Sequence, residues 1–134
     1  MIGLLLITHG GLGDALVQCA GHILGQPPPR LAQLGVDAAD KPAELLPRAR
    51  RLLREVDAGA GVLLLADVCA ATPANIARQL LEPGRVEGLV GVNLPMLLRA
   101  LTYREQDLAT LMQRAATGGR DGILSLREAC DAPR

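Results

Sequence analysis

The chain has 134 residues, 49% of them apolar, and its 14 basic and 14 acidic side chains cancel to a formal net charge of zero. That length fits one domain with a single filled core. The scattered basic residues give no nucleic-acid footprint, and Tyr103, the lone aromatic residue, offers no stacking platform for single strands. The apolar amino terminus lacks a basic n-region and a cleavage site, and no apolar run approaches the ~20 residues that span a bilayer, so a soluble cytoplasmic protein is expected.

The first predicted element is a strand through Ile7, because six of the first seven residues are apolar with no polar alternation. That pattern suits a strand buried on both faces of a parallel sheet, and it delivers His9 to its carboxyl end. Leu12, Ala15, Leu16, Cys19, Ala20, Ile23 and Leu24 then follow helical spacing. His9 therefore sits in a strand-to-helix turn, beside a helix N-terminus whose free N–H groups favour an anion. Gly25 through Pro29 end the helix, and Arg30 to Val36 reads as a weaker strand. Asp40 is the expected N-cap of a helix with Leu45, Leu46, Ala49, Leu52, Leu53 and Val56 inside. Pro47 either opens that helix late or kinks it, and the basic residues from Arg48 to Arg51 read as a solvated face.

Val62 to Ala66 is a second wholly apolar strand, and it too ends in one ionisable residue, Asp67. Thr72 followed by Pro73 is an N-cap and first-turn signature for a short helix through Leu81. Val86 to Val92 is a fourth strand, ending in Asn93 before helical patterning from Pro95 to about Ala116, broken near Thr102 and Tyr103. The alternation predicts an α/β fold: a doubly wound, mostly parallel four-stranded sheet with helices on both faces. After Gly118–Gly122, residues 123–126 read as a carboxyl-terminal edge strand that pairs in the chain or is exchanged in a dimer. Residues 1–126 form the domain and 127–134 a polar tail.

Nucleotide motifs fail. Gly10-Gly11-x-Gly13 is not G-x-G-x-x-G, no P-loop lysine follows, and there is no G-x-S-x-G elbow. Cys19, Cys69 and Cys130 are odd in number with no C-x-x-C, so neither a disulfide framework nor a zinc site is read. Cys19 is expected to be a small buried hydrophobe. Cys69 lies in the loop after Asp67, as filler or as a reactive thiol. His22 falls on the flank of its helix stripe and is assigned no role. His9 and Asp67 remain. If their strands are neighbours, the carboxylate can accept a hydrogen bond from one imidazole nitrogen and leave the other as a nucleophile. A simple structural pairing at the sheet's rim is the other reading.

Three motifs together carry a resemblance: Thr8-His9-Gly10, the Asp67-x-x-x-x-Thr72-Pro73-x-Asn75 loop, and Gly91-Val92-Asn93-Leu94-Pro95-Met96-Leu97. In their order and spacing the chain resembles the mannose-type EIIA component of the bacterial phosphoenolpyruvate-dependent sugar phosphotransferase system. The resemblance covers the whole chain. It implies a phosphocarrier in which His9 accepts a phosphoryl group from the phosphohistidine carrier protein (HPr) and passes it to an EIIB partner, in sugar uptake or a regulatory relay. Asp67 would orient the imidazole, and Gly10, Ala71 and Thr72 would contact the phosphate. A partner surface is expected at Leu94, Met96 and Leu97. A homodimer with an exchanged terminal strand and peripheral association with a membrane permease are implied, with no metal or cofactor. The alternatives are a related subunit serving dihydroxyacetone kinase, against which the Thr-Pro-x-Asn and Asn-Leu-Pro segments argue, and a non-catalytic regulator of the same fold. One departure stands out: the family has two glycines where this chain has Ala70-Ala71, so a positive φ at either position strains the loop.

Overall fold

The computed structural model describes residues 1–129. Its elements are β1 (Gly3–His9), α1 (Leu12–Leu24), β2 (Leu31–Val36), α2 (Pro42–Val56), β3 (Val62–Ala66), α3 (Thr72–Gln79), β4 (Val86–Val90), α4 (Leu94–Thr102), α5 (Leu108–Asp121) and α6 (Leu126–Ala129). The four strands are parallel in the order β2-β1-β3-β4, which makes β1 and β3 the expected central neighbours, with Ile7 opposite Ala66.

Leu4–Ile7 of β1 and Val62–Ala66 of β3 are wholly apolar because both faces of these strands are covered. Leu5, Ile7, Val62 and Leu64 pack with Leu45, Ala49 and Val56 of α2 and Ile76 of α3. Leu4, Leu6, Leu63 and Leu65 point the other way, to Ala20 of α1, Met96 and Leu97 of α4, and Leu111 and Ala115 of α5. All eight strand side chains are fully buried, each contributing about 1.5–3 kcal/mol for its removal from water. The stiffest part of the molecule thus ends in His9 and Asp67. No helix among the described residues is long and apolar enough to cross a membrane.

Several local expectations change. Gly13 and Ala20 of α1 are buried and Leu16 is partly buried, whereas Leu12, Ile23, Leu24 and Cys19 are exposed. The helix seats its small residues on the sheet, so Cys19 is not core. Asp40 does not cap α2; its Oδ2 accepts the Asp37 N–H at 2.8 Å, and the cap position falls to Lys41. That helix begins at Pro42 and runs through Pro47, whose missing N–H would have met the carbonyl of exposed Ala43. Likewise Ala71 rather than Thr72 holds the cap position of α3.

The end of the chain differs most. Helix α5 continues past Ala116 through Gly118 and Gly119, because a Cβ at Gly118 would come within 2.6 Å of Arg99 Cβ and one at Gly119 within 3.1 Å of Met96 Cε. The glycines allow close contact with α4, which outweighs their ordinary helix cost of ~1 kcal/mol. The Gly122 N–H then bonds the Gly118 carbonyl and the Ile123 N–H the Arg120 carbonyl. Residues 123–125 consequently turn and form no strand in the single chain, and Leu126 opens α6 within the expected edge strand. Ile123, Leu124 and Leu126 stand out from the surface at 79%, 62% and 78% exposure. Cys130 and the end of the tail lie outside the described residues.

Arg104 holds the sheet's other rim. It is 4% exposed, and its guanidinium donates from Nε and Nη2 to the Ile2 carbonyl (3.0 and 2.9 Å), from Nη1 to Pro29 (2.6 Å) and from Nη2 to Arg30 (2.7 Å). These carbonyls precede β1 and β2, so one side chain ties the start of both strands to the α4–α5 turn. Arg104→Met keeps the bulk and removes the donors; chemical denaturation is expected to show a loss of roughly 2–3 kcal/mol, because the buried Ile2 carbonyl loses both of its charged donor bonds.

Candidate active site

His9 is the last residue of β1 and Asp67 the first after β3, so the pairing of the strands places both at one rim. His9 Nδ1 lies 2.8 Å from Asp67 Oδ2, and the His9 main-chain N–H donates to the same oxygen at 2.9 Å. The other carboxylate oxygen, Oδ1, accepts the Val68 N–H at 3.0 Å. Gly91 of the next strand's turn donates its N–H to the Asp67 carbonyl at 3.0 Å. The aspartate is therefore held on several sides, and its side chain is 12% exposed against 54% for His9.

Burial raises the pKa of Asp67, but the hydrogen bonds from the His9 main chain and ring and the attraction of the ring's charge outweigh it. The carboxyl is held below its ordinary 3.8. An ionised carboxylate against Nδ1 keeps the proton on that nitrogen. The lone pair of neutral His9 is then on Nε2, which has no hydrogen-bond partner among the described residues.

The loop from Asp67 to α3 lies beside this pair. Ala70 has φ +62, the left-handed region, so the position where the family has glycine does require glycine-like backbone. The strain for alanine there is about 1 kcal/mol. Ala71 is extended (φ −123, ψ 169) and Asn75 N–H closes the first helical bond onto its carbonyl. The N–H groups of Ala71, Thr72 and Ala74 have no acceptor among the described residues, and Pro73 has no N–H. The first turn of α3 carries no acidic residue, whereas that of α1 carries Asp14. Of the two helices that follow the central strands, α1 and α3, it is α3 whose positive end is not already met by a carboxylate.

Two sets of expected residues are placed differently. The Gly10 N–H donates to the Val36 carbonyl at 2.9 Å, so Gly10, with φ +51, shapes the turn and has no amide left for a phosphate. Met96 is 5% exposed and Leu97 0%, both in the core beneath α4, and Leu94 is half-buried against it. Met96 and Leu97 therefore cannot form a partner surface. Asn93 instead explains that segment: its Oδ1 accepts the Met96 N–H at 2.9 Å and its Nδ2 donates to the Gly119 carbonyl at 3.0 Å. The apolar side chains exposed near His9 are Leu12 (42%) and Val68 (53%), which sequence reasoning missed; Leu12 was read as part of a buried stripe.

Cys69 is exposed, with no hydrogen bond of its thiol among the described residues. A depression of about 700 Å³ runs along α1 past exposed His22 to Pro27 and Pro28 and does not include His9. His9 stands on an open rim rather than in a cleft.

Known proteins show the same arrangement of chain. The family model described as "PTS system fructose IIA component" (EIIA-man) matches residues 3–116. The mannose-specific EIIAB component of Escherichia coli K12 is 28% identical over 129 residues, which cover 94% of this chain and 40% of that protein. The chain thus spans about two fifths of the length of the mannose-specific relatives it matches. The fructose-specific EIIA component of Bacillus subtilis is 30% identical over 106 residues, 78% of this chain and 72% of that one. Among solved structures, the mannose/sorbose-specific IIA subunit of Enterococcus faecalis superposes with a TM-score of 0.82 at 21% identity, covering 99% and 97% of the two chains. An EIIA component from Streptococcus agalactiae gives 0.80 at 23% identity, covering 95% and 98%.

Proposed function

The chain belongs to the EIIA-man family of sugar phosphotransferase-system IIA components, and on that premise we propose that it is a phosphocarrier whose acceptor atom is Nε2 of His9. The observation that carries the reading is the 2.8 Å Nδ1–Oδ2 contact on a half-exposed imidazole. It leaves one unshared pair, on Nε2, directed away from the carboxylate.

In the transfer, Nε2 attacks the phosphorus of the donor's phosphohistidine. The donor's P–N bond breaks and its electron pair returns to the donor imidazole. His9 keeps its Nδ1 proton, so the phosphorylated ring gains cationic character, which the Asp67 carboxylate stabilises. Negative charge spreads over the three equatorial oxygens in such transfers, and the free amides of Ala71, Thr72 and Ala74, with the Thr72 hydroxyl, are the donors for them. The reverse sequence passes the group to an acceptor.

An open rim suits a protein donor, which brings its own phosphohistidine, better than a small substrate needing enclosure. HPr as donor and an EIIB protein as acceptor fit this requirement, with Leu12 and Val68 as apolar contacts beside the imidazole. The open outer edge of β4, with Val90 exposed at 47%, and the exposed Ile123, Leu124 and Leu126 support a homodimer in which this segment is exchanged. Incubation with phosphoenolpyruvate, enzyme I and HPr is expected to give acid-labile phosphorylation of the chain. Absence of label overturns the reading.

A further inference from the structure

We infer that Thr8 is a positioning residue for His9, a role that rests on His9 being the phosphoryl acceptor. Thr8 is fully buried at the end of β1, and its Oγ1 accepts the Gly13 N–H at 2.9 Å. Helix α1 has Gly11 at its cap position and no side-chain cap of its own there, so the strand residue three positions before that glycine does the work of an N-cap. Gly13 is fitted to it, since a Cβ there would lie 2.8 Å from Thr8 Oγ1 and 3.1 Å from Gln33 Oε1.

The bond matters to His9 because of what lies between. Gly10 and Gly11 follow the imidazole, and neither has any atom within 4 Å of where a Cβ would stand. Neither glycine has a side chain to anchor the turn, so its position rests on main-chain contacts, among them the Gly10 carbonyl packed against Gly35. Four hydrogen bonds hold that turn: His9 N–H to Asp67, Gly10 N–H to Val36, Ala15 N–H to the Gly11 carbonyl, and Gly13 N–H to Thr8. Only the last fastens the far side of the glycines back onto the strand that carries His9. Losing it frees the turn, and with it the shared alignment of the His9 main chain and ring on Asp67 Oδ2.

Thr8→Val preserves shape and removes the acceptor. At a temperature where the variant is folded, the rate of His9 phosphorylation by HPr per folded molecule is expected to fall roughly tenfold, and the NMR signal of the hydrogen-bonded His9 Nδ1 proton to broaden. Thr8→Ser, which keeps the oxygen, restores both. Gly13→Ala leaves Thr8 in place but forces the pair apart, and is expected to act in the same direction. If Thr8→Val and Gly13→Ala lower only the melting temperature, with rate and Nδ1 proton signal as in the unaltered protein, Thr8 is a helix cap and nothing more. If the unaltered protein accepts no phosphoryl group, the proposed function fails, and the Nδ1 proton comparison still decides the role of Thr8.

Discussion

His9→Ala is expected to abolish acid-labile labelling while lowering the melting temperature only slightly. The side chain is 54% exposed and lies at a strand's end outside both core clusters, so its removal creates no cavity. The bonds that hold the turn are donated by main-chain N–H groups, those of His9, Gly10, Gly13 and Ala15, and they survive the substitution. What disappears is Nε2. His22, the remaining histidine, is an exposed residue of α1 with no carboxylate partner among the described residues and does not replace it. Phosphorylation that persists in His9→Ala at the rate of the unaltered chain would remove the acceptor from the account and favour a different site.

Asp67→Asn is expected to slow phosphorylation by roughly 10²-fold or more, with a smaller effect on the fold. The amide oxygen can still accept the His9 N–H, but its NH2 then replaces the oxygen that accepts the Val68 N–H, and the negative charge opposite Nδ1 is gone. The phosphorylated ring then has no counter-charge, and the proton is no longer confined to Nδ1. Stability carries the same signature. A carboxyl whose folded pKa is lowered contributes stability that is present above the unfolded value of about 3.9 and is lost as the pH falls through the lower folded value. Denaturation between pH 5 and pH 2 should therefore show the native chain weakening at the acid end and Asp67→Asn with a shallower fall. Equal acid slopes in the two proteins contradict the assigned protonation state.

The sheet and its site were legible because they rest on the strongest sequence signals. The runs through Leu4–Ile7 and Val62–Ala66 have no polar face to offer, and only a central parallel strand tolerates that. Each run stops at one ionisable residue, which put His9 and Asp67 at a common rim before any distance was known. The loop after Asp67 was legible in part: Ala70 and Ala71 marked a place where backbone freedom matters, and Ala70 proved to hold the positive φ.

Elsewhere the signals were ambiguous or absent. Helix α1 is apolar over more than half its circumference, so periodicity could not say which half meets the sheet; the small residues Gly13 and Ala20 decided it. Gly118 and Gly119 read as a helix end because sequence reports their poor propensity and not the Arg99 and Met96 side chains they make room for. Leu94, Met96 and Leu97 were taken for surface since a short apolar segment after a strand has no period long enough to show its inner side. Arg104 carried no signal at all. A lone arginine in a loop reads as solvated, and its four bonds to carbonyls 74 to 102 residues away depend wholly on the tertiary fold.

The protonation pattern of His9 is the claim on which the chemistry turns, and it can be read directly. With ¹⁵N-labelled histidine, NMR of the chain after phosphorylation by HPr should show phosphorus coupled to Nε2 of His9 and a proton retained on Nδ1. Phosphorus coupled to Nδ1 would mean that the carboxylate contact is broken in the transfer and that Asp67 does not select the acceptor nitrogen.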